Sequence, residues 1–557
     1  LLAQAPTGIG KTIGSLFPVL KAAPRQRIDK VFFLAAKTPG RQLALDAAAA
    51  LAGGNDKLPL RVLELAAREK SCEHPDKACH GESCPLARGF YDRLPAARSA
   101  ALAVPVLDRA ALRDVALAHE VCPYYLGSEM ARWSDVVVGD YNYYFDGGAM
   151  LYALLLANGW RVSVLVDEAH NLVSRARSMY SAQLDRAALR AARAAAPGPV
   201  RKALERVGRA WSELDKSAPE RYQVLPQLPE KLLSALQNAA SVVTDFLAGE
   251  PGPLDPALQR FYFDALAFAR LAESFGEHSI CDLTRDGARS GTRDSLVCIR
   301  NLVPAPFLKP RFAMAHSATL FSATLSPWHY QSDALGLPAD TAWVDVDSPF
   351  SASQLAVRVM HDISTRYQHR AASLSPIADL MANQYRAAPG NYLAFFSSFE
   401  YLEQVAALFA GRYPDIPAWQ QSRRMSEDER AGFLERFTPD GKGIGFAVLG
   451  GSFGEGIDLP GARLIGAFVA TLGLPQVNPV NEQLRQRMQA MFGAGYDYTY
   501  LYPGLQKVVQ AAGRVIRTEQ DRGVVYLIDD RFARAEVRAL LPRWWQVDAP
   551  AASQSPA

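Results

Sequence analysis

Residues 5–12 read APTGIGKT, and few segments constrain a fold as tightly. Successive backbone N–H groups converge on phosphate oxygens only where glycines let the chain approach closely. Such a loop has to leave the end of a strand and open a helix, whose first turn adds donors and a favourable dipole. Here Gly8 and Gly10 supply the close approach, Lys11 the neutralising charge and Thr12 a hydroxyl for Mg²⁺. The pattern departs from G-x-x-x-x-G-K-[ST] at its first position, where Ala5 replaces glycine. Only residues 1–4 precede the loop, so the chain reads as starting inside its first strand. Taken by itself, the segment also fits a Gly-rich turn that holds no ligand.

A partner segment lies far downstream. In LVDEAH, residues 165–170, an apolar strand ends in two acids. Opposite a phosphate-binding loop, Asp167 would hold the metal through water, and Glu168 would orient and deprotonate the attacking water. An acidic pair at a strand end is also a common helix cap. Its order after the loop favours the nucleotide site. A third segment, QAAGRVIR at 510–517, spaces Gln510, Arg514 and Arg517 by four and three, which predicts one shared helical face. Such arginines are usually a solvated stripe. Supplied by a second lobe, they would stabilise charge on a γ-phosphate, with ATP in the cleft between lobes.

The wider sequence agrees with a multi-lobed α/β protein. At 557 residues the chain is too long for one core and predicts about three or four domains. VFFLAA (31–36), RVLELA (61–66), NYLAFFSS, IGFAVLGGSF, ARLIGAFVA and GVVYLID read as strands between helical segments, the pattern of parallel sheets. Strands fade from about 70 to 132, and residues 178–283 are rich in Ala, Leu, Arg and Glu at helical spacing. No apolar run approaches the roughly 20 residues that span a bilayer, and LLAQAPTG has no basic leader. A cytoplasmic location, without membrane contact, is expected. The formal net charge of +3 makes no case for nucleic acid, although a local basic channel would be hidden in that total. DAPAASQSPA, at the C-terminus, has the composition of a disordered tail.

Six cysteines in such a chain do not make a disulfide scaffold and are better read as metal ligands or ordinary thiols. Cys72 and Cys79 are separated by six residues, Cys79 and Cys84 by four, and Cys84 and Cys122 by thirty-seven. Structural zinc, with His74 and His80 nearby, buried free thiols, and a four-thiolate iron–sulfur cluster all fit this spacing. Cys281 and Cys298 fall outside the group and read as ordinary thiols.

APTGIGKT, DEAH (167–170), SATLSP (322–327), GSFGEGIDLPG (451–461) and QAAGRVIR occur in the order of the superfamily 2 helicase motifs. Four cysteines between the first motifs and DEAH, the last within CPYY, resemble the iron–sulfur helicases related to XPD and DinG. The resemblance covers nearly the whole chain and implies two RecA-like, P-loop NTPase lobes. It also implies an iron–sulfur insertion and a helical arch insertion, both in the first lobe. The expected plan is 1–66, 134–177 and 284–345 for the first lobe, and 67–133 for the iron–sulfur domain. The arch takes 178–283, the second lobe 346–545 and a tail 546–557. Cys72, Cys79, Cys84 and Cys122 would hold a 4Fe–4S cluster, and ATP and Mg²⁺ would occupy the cleft.

The same resemblance implies an ATP-dependent DNA helicase, expected to be monomeric, that moves 5′ to 3′ on single-stranded DNA and opens forked duplex in repair or replication. Thr38 and Arg41 would touch the strand's phosphates, and the motif in FFSSFEYL would do so from the second lobe. Glu455 and Asp458 lie where the family links ATP to the strand, and His170 with the SATLSP turn would couple them. Of Tyr141, Tyr143 and Tyr144, which could stack on bases, two are expected in the core. Two rival functions remain at this stage: the same motor directed to RNA or R-loops, and a nucleic-acid-binding redox sensor whose ATPase only switches affinity.

Overall fold

Runs such as VFFLA and NYLAFF are apolar without alternation, which suits strands covered on both faces. Lys30–Ala35 and Asn391–Phe396 are indeed buried at every position. The computed structural model describes residues 1–53, 60–218, 220–249, 254–285, 294–454, 457 and 459–547. In it, Lys30–Ala35 belongs to an eight-stranded sheet ordered Trp343–Asp345, Leu2–Gln4, Ser317–Ser322, Val162–Asp167, Lys30–Ala35, Val136–Gly139, Val62–Glu64, Val106–Leu107. Asn391–Phe396 belongs to a seven-stranded sheet ordered Ala418–Gln420, Gly443–Val448, Asn391–Phe396, Gly466–Ala470, Gly523–Ile528, Leu355–Met360, Gln546–Val547. Every pairing in both is parallel. Helices therefore have to cross over between neighbouring strands, and they cover both faces.

Three findings depart from the sequence expectations. The region expected as a helical arch also carries a four-stranded antiparallel sheet, ordered Ala182–Asp185, Ser295–Asn301, Ser279–Arg285, Tyr222–Leu225. It joins helices Arg186–Ala195, Gly198–Ser217, Glu230–Gly249 and Pro256–Glu273 in one core. Trp211 sits fully buried there and donates its indole N–H to Ser295 Oγ at 2.9 Å. The unit thus runs to Asn301, past the expected boundary at 283, because Cys298 pairs across to Asp282. Ala182–Asp185 and Tyr222–Leu225 are only four residues long, and the seven-residue strands Ser279–Arg285 and Ser295–Asn301 lie across and beyond the expected boundary, so the helical spacing between them dominates the local pattern. Second, Val106–Leu107, within the cysteine-bearing insertion, is a strand that pairs with Val62–Leu63 at the edge of the large sheet. Third, Gln546–Val547 is not tail but an edge strand on Ala356–Val357; residues 548–557 lie outside the described residues.

The two sheets are not joined by a simple hinge. Helix Pro479–Phe492 and the π-turn Asp497–Leu501 follow a strand of the second sheet. Yet Leu484, Met488 and Tyr498 pack into the first sheet's core beside Tyr330 and Leu335. Tyr498 also donates its hydroxyl to Asp333 at 2.5 Å. Helix Tyr502–Ala512, which carries Gln510, starts where this contact ends.

Candidate active site between the two sheets

Leu2 pairs in register with Leu320 on one side and Trp343 on the other, so the loop leaves a strand held from both edges. Gly8 and Gly10 have φ of 86° and 75°, a left-handed region that side chains with a Cβ rarely enter. Lys11, the first residue of helix Lys11–Gln26, donates its ammonium to the Pro6 carbonyl at 3.0 Å. Burial lowers its pKa, while the carboxylates of Glu168 and Asp167 oppose that fall.

Asp167 ends the Val162–Asp167 strand and lies in register with Phe321. Burial, then the adjacent Glu168, pushes its carboxyl up to about 7, partly countered by Lys11. Glu168 has φ 49°, a conformation that costs a side-chain-bearing residue about 1–3 kcal/mol. The buried Tyr141 hydroxyl holds it there, donating to the Asp167 carbonyl and to the Glu168 carbonyl at 2.9 Å. The Glu168 side chain is 42% exposed to the cleft. Its carboxylate accepts from Ser322 Oγ at 3.0 Å and lies 3.3 Å from His170 Nδ1. Burial pushes this carboxyl up, but the His170 and Ser322 hydrogen bonds and the Lys11 charge outweigh it and hold the group well below the usual carboxylate range. His170 Nδ1 lies 2.7 Å from Ser322 Oγ, and its Nε2 lies 2.9 Å from Asn171 Nδ2. One consistent proton assignment runs Asn171 to His170 to Ser322 to Glu168, each donating to the next.

The opposite wall comes from the second sheet. Gln510 donates its amide to Thr324 Oγ1 at 3.1 Å, and Gln506 to the Thr324 carbonyl at 3.3 Å. The expected shared helical face does not form. The helix stops at Ala512 with Gly513 as its cap, and Arg514 and Arg517 lie in the following turn and extended segment. Val515 and Ile516, buried between them, pull that segment into the second core. Both arginines still meet, donating to the Ile457 carbonyl at 3.2 and 3.0 Å. Their charges bear on Lys11. A Cβ on Gly8 would come within 3.0 Å of the Arg517 carbonyl oxygen. The loop, the acids and the arginines line one cleft of about 1350 Å³, larger than the roughly 300–1,000 Å³ of ordinary ligand pockets. Glu455 and Asp458 lie outside the described residues.

Other expected residues divide. Thr38 is exposed. Arg41 is turned inward, donating to Thr38 Oγ1 at 2.9 Å and lying 3.6 Å from Glu64, so it does not face a strand in this state. Tyr141 and Tyr144 are fully buried. Tyr143 donates to the Ala66 carbonyl at 2.9 Å. Cys281 and Cys298 are buried, and burial pushes both thiols up to about 12. Cys122 caps helix Pro123–Met130. Burial raises its thiol pKa, N–H groups of Tyr125 and Tyr124 pull it down, and charge at Cys72 and Cys84 pushes it up again. Cys79 is exposed, and its charge acts on Tyr125. Among the described residues no three His, Cys, Asp or Glu side chains are gathered closely enough to hold a metal ion. Cys72, Cys79, Cys84 and Cys122 are therefore not drawn together as a ligand set here.

The family pattern described as "DEAD_2" matches residues 59–189, and that described as "Helicase C-terminal domain" matches 381–548. The chain belongs to the XPD/DinG family of superfamily 2 helicases. Its similarity to the "Regulator of telomere elongation helicase 1" of Bos taurus is 23% identity, covering 87% of this chain and 49% of that protein. Its similarity to the "ATP-dependent helicase DinG" of Mycobacterium tuberculosis is 30% identity, over 42% of this chain and 36% of that one. The chain thus spans half or less of the length of these curated relatives. A solved "XPD_Helicase" structure superposes with a TM-score of 0.65 at 19% identity, covering 97% of this chain and 94% of that one. The S. tokodaii Xpd4 structure gives 0.61 at 15% identity over 98% and 95%. The two parallel sheets are the RecA-like lobes of this fold.

Sequence reasoning missed three members of the XPD/DinG-type site. Tyr141 read as a base-stacking candidate but props the acidic turn. Asn171 and Gln506 carried no motif signal. Each acts through a partner that only folding brings near.

Proposed function

We propose that this chain is the motor of an ATP-dependent DNA helicase that moves 5′ to 3′ along single-stranded DNA and opens forked duplex in repair or replication. The observation that carries the reading is convergence: Lys11, Asp167 and Glu168 of one lobe face Arg514 and Arg517 of the other across a single cleft. Gly8, Gly10 and Lys11 would cradle the phosphates. Thr12 and Asp167 would hold Mg²⁺, which supplies charge neutralisation at the β- and γ-phosphates, and the buried, crowded Asp167 carboxyl suits a cation partner. Glu168, partly exposed and kept ionised, would take the proton of the attacking water. Gln510, Arg514 and Arg517 would sense and stabilise the γ-phosphate side from the second lobe, and Asp458 would link the ATP site to the strand. His170 and the SATLSP turn would couple that event to the strand, and Thr324 in that turn takes hydrogen bonds from Gln510 and Gln506 of the second lobe. Closing and opening of the cleft would then alternate each lobe's grip on the strand.

The domain plan belongs to the same proposal, with the arch extended to residue 301. So does a 4Fe–4S cluster on Cys72, Cys79, Cys84 and Cys122, which would stiffen a wedge at the fork. Strand separation of 5′-tailed and 3′-tailed duplexes, with ATP and Mg²⁺ and Lys11→Ala as control, tests the reading. Unwinding of the 5′-tailed substrate alone, lost in the control, is the expected result. Equal unwinding of both would overturn the polarity, and none with either would overturn the helicase assignment.

A further inference from the structure

Helix Leu172–Met179 follows directly on the 3₁₀ turn Ala169–Asn171 that holds His170. It therefore runs from the acidic turn to the place where the chain enters the second insertion. Both crossings into that insertion close on one residue near the end of this helix, Arg177. On the outgoing segment, Ser181 donates its hydroxyl to the Arg177 carbonyl at 2.7 Å and accepts the Asn301 N–H of the returning strand at 2.9 Å. Arg177 Nε donates to the Leu302 carbonyl, also on the returning segment, at 2.8 Å. The Leu302 and Val303 N–H groups in turn meet the His278 carbonyl at 2.9 and 3.1 Å. The root of the insertion is thus a closed knot of hydrogen bonds with Arg177 at its centre.

The far side of the guanidinium faces a different element. Its Nη2 is buried and takes no hydrogen-bond partner among the described residues. Burial lowers the Arg177 pKa, and the Tyr330 hydroxyl opposes that fall. Arg177 in turn counters the rise that burial gives Tyr330. Tyr330 is buried in helix Trp328–Leu335, which follows the SATLSP turn. Its ring meets that of Tyr498 at 5.0 Å and 67°, and that of Tyr502 at 5.8 Å. Tyr498 belongs to the packed contact between the lobes, and Tyr502 opens the helix whose Gln506 and Gln510 reach Thr324. Tyr330 thus touches the insertion's root on one side and the meeting point of the lobes on the other.

We propose that Arg177 is a positioning residue that makes the second insertion follow the movement of the lobes, with Tyr330 as the relay. This rests on the helicase reading above and adds the joint through which the motor moves that insertion. A buried cation is costly to leave without partners, so Arg177 has to keep the Leu302 carbonyl and the Tyr330 hydroxyl together. A turn of the second lobe about Tyr498 displaces Tyr330, because close-packed interiors transmit such shifts. Both crossings are then carried along, since each is hydrogen-bonded to Arg177.

The test uses the 557-residue chain with a donor and an acceptor dye, read by energy transfer. The dyes are attached through p-azidophenylalanine at Phe263 of the insertion and Leu156 of the first lobe, both exposed. AMP-PNP with Mg²⁺ is expected to shift the transfer efficiency of the parent. Arg177→Met and Tyr330→Phe are expected to lose that shift while still binding AMP-PNP, since neither side chain lines the cleft. Tyr330→Phe keeps the ring against Tyr498 and removes only the hydroxyl, so it decides the matter where Arg177→Met fails to fold. A merely structural role would lower the melting temperature and leave the shift intact. An undiminished shift in either folded variant overturns the link through Arg177. A parent that binds AMP-PNP without any shift overturns the movement of the insertion and leaves the helicase reading standing. A parent that binds no AMP-PNP overturns both.

Discussion

Glu168 shows how one residue can be strained, charged and reachable at once. Its backbone sits at φ 49° because the Tyr141 hydroxyl ties down the carbonyls on either side of the turn. That twist aims the carboxylate into the cleft instead of along the strand. Ser322 and His170 then keep it ionised against burial. A base placed this way is worth about 10²–10⁴ in rate. Glu168→Gln preserves shape but cannot accept the proton, so steady-state ATP hydrolysis is expected to fall by about that factor while nucleotide binding survives. Phosphate release and equilibrium binding of a fluorescent ATP analogue would separate the two. Hydrolysis at the parental rate would remove Glu168 from the role of base.

At the level of elements, the turn after strand Ser317–Ser322 joins the halves. Ser322 reaches Glu168, and two residues later Thr324 receives Gln510 and Gln506 from the other lobe. Ser322→Ala deletes a donor to an ionised group, a bond worth about 1.5–3 kcal/mol. Turnover should therefore drop about 10-fold or more, and DNA stimulation of hydrolysis should shrink with it. Rescue by Ser322→Thr, which restores a hydroxyl, would distinguish lost hydrogen bonding from lost packing. The second insertion makes a separate case. Trp211 is fully buried, and its N–H is satisfied by Ser295. Trp211→Ala leaves a cavity expected to cost about 3–5 kcal/mol. Denaturant unfolding followed by circular dichroism should show an early transition for this unit alone, because its core is distinct from those of the lobes. A single unshifted transition would contradict that independence.

For the whole molecule, the lobes meet in two different ways. At the phosphate-binding loop they face each other across a cleft. At Tyr498 they are packed, with Leu484 and Met488 buried in the first lobe's core. Closure can then act as rotation about the packed contact. The cysteine-bearing insertion hangs on the edge of the same first sheet through Val106–Leu107, so a cluster there would be rigidly tied to the motor. Anaerobically prepared protein is expected to be brown, with about four irons per chain and loss of colour on Cys122→Ser. Colourless protein with a single zinc per chain would replace the iron–sulfur assignment with a structural zinc site.

The sequence by itself determined the local chemistry: a glycine pair before Lys11, two acids at a strand end, and apolar runs that only a doubly covered parallel sheet can bury. These follow from neighbouring residues and so are legible in one dimension. The insertion's sheet was not legible, because its strands find partners as far apart as Ala182 and Ile299. Nor was the arrangement of the arginines. Spacing predicted one helical face, but Gly513 ends the helix, and Arg514 and Arg517 meet instead at the Ile457 carbonyl. Tertiary structure alone decided that Tyr141 supports the acids and that Arg41 turns inward. Burial and hydrogen-bond partnership depend on what the rest of the chain brings alongside, and that information is spread over hundreds of residues.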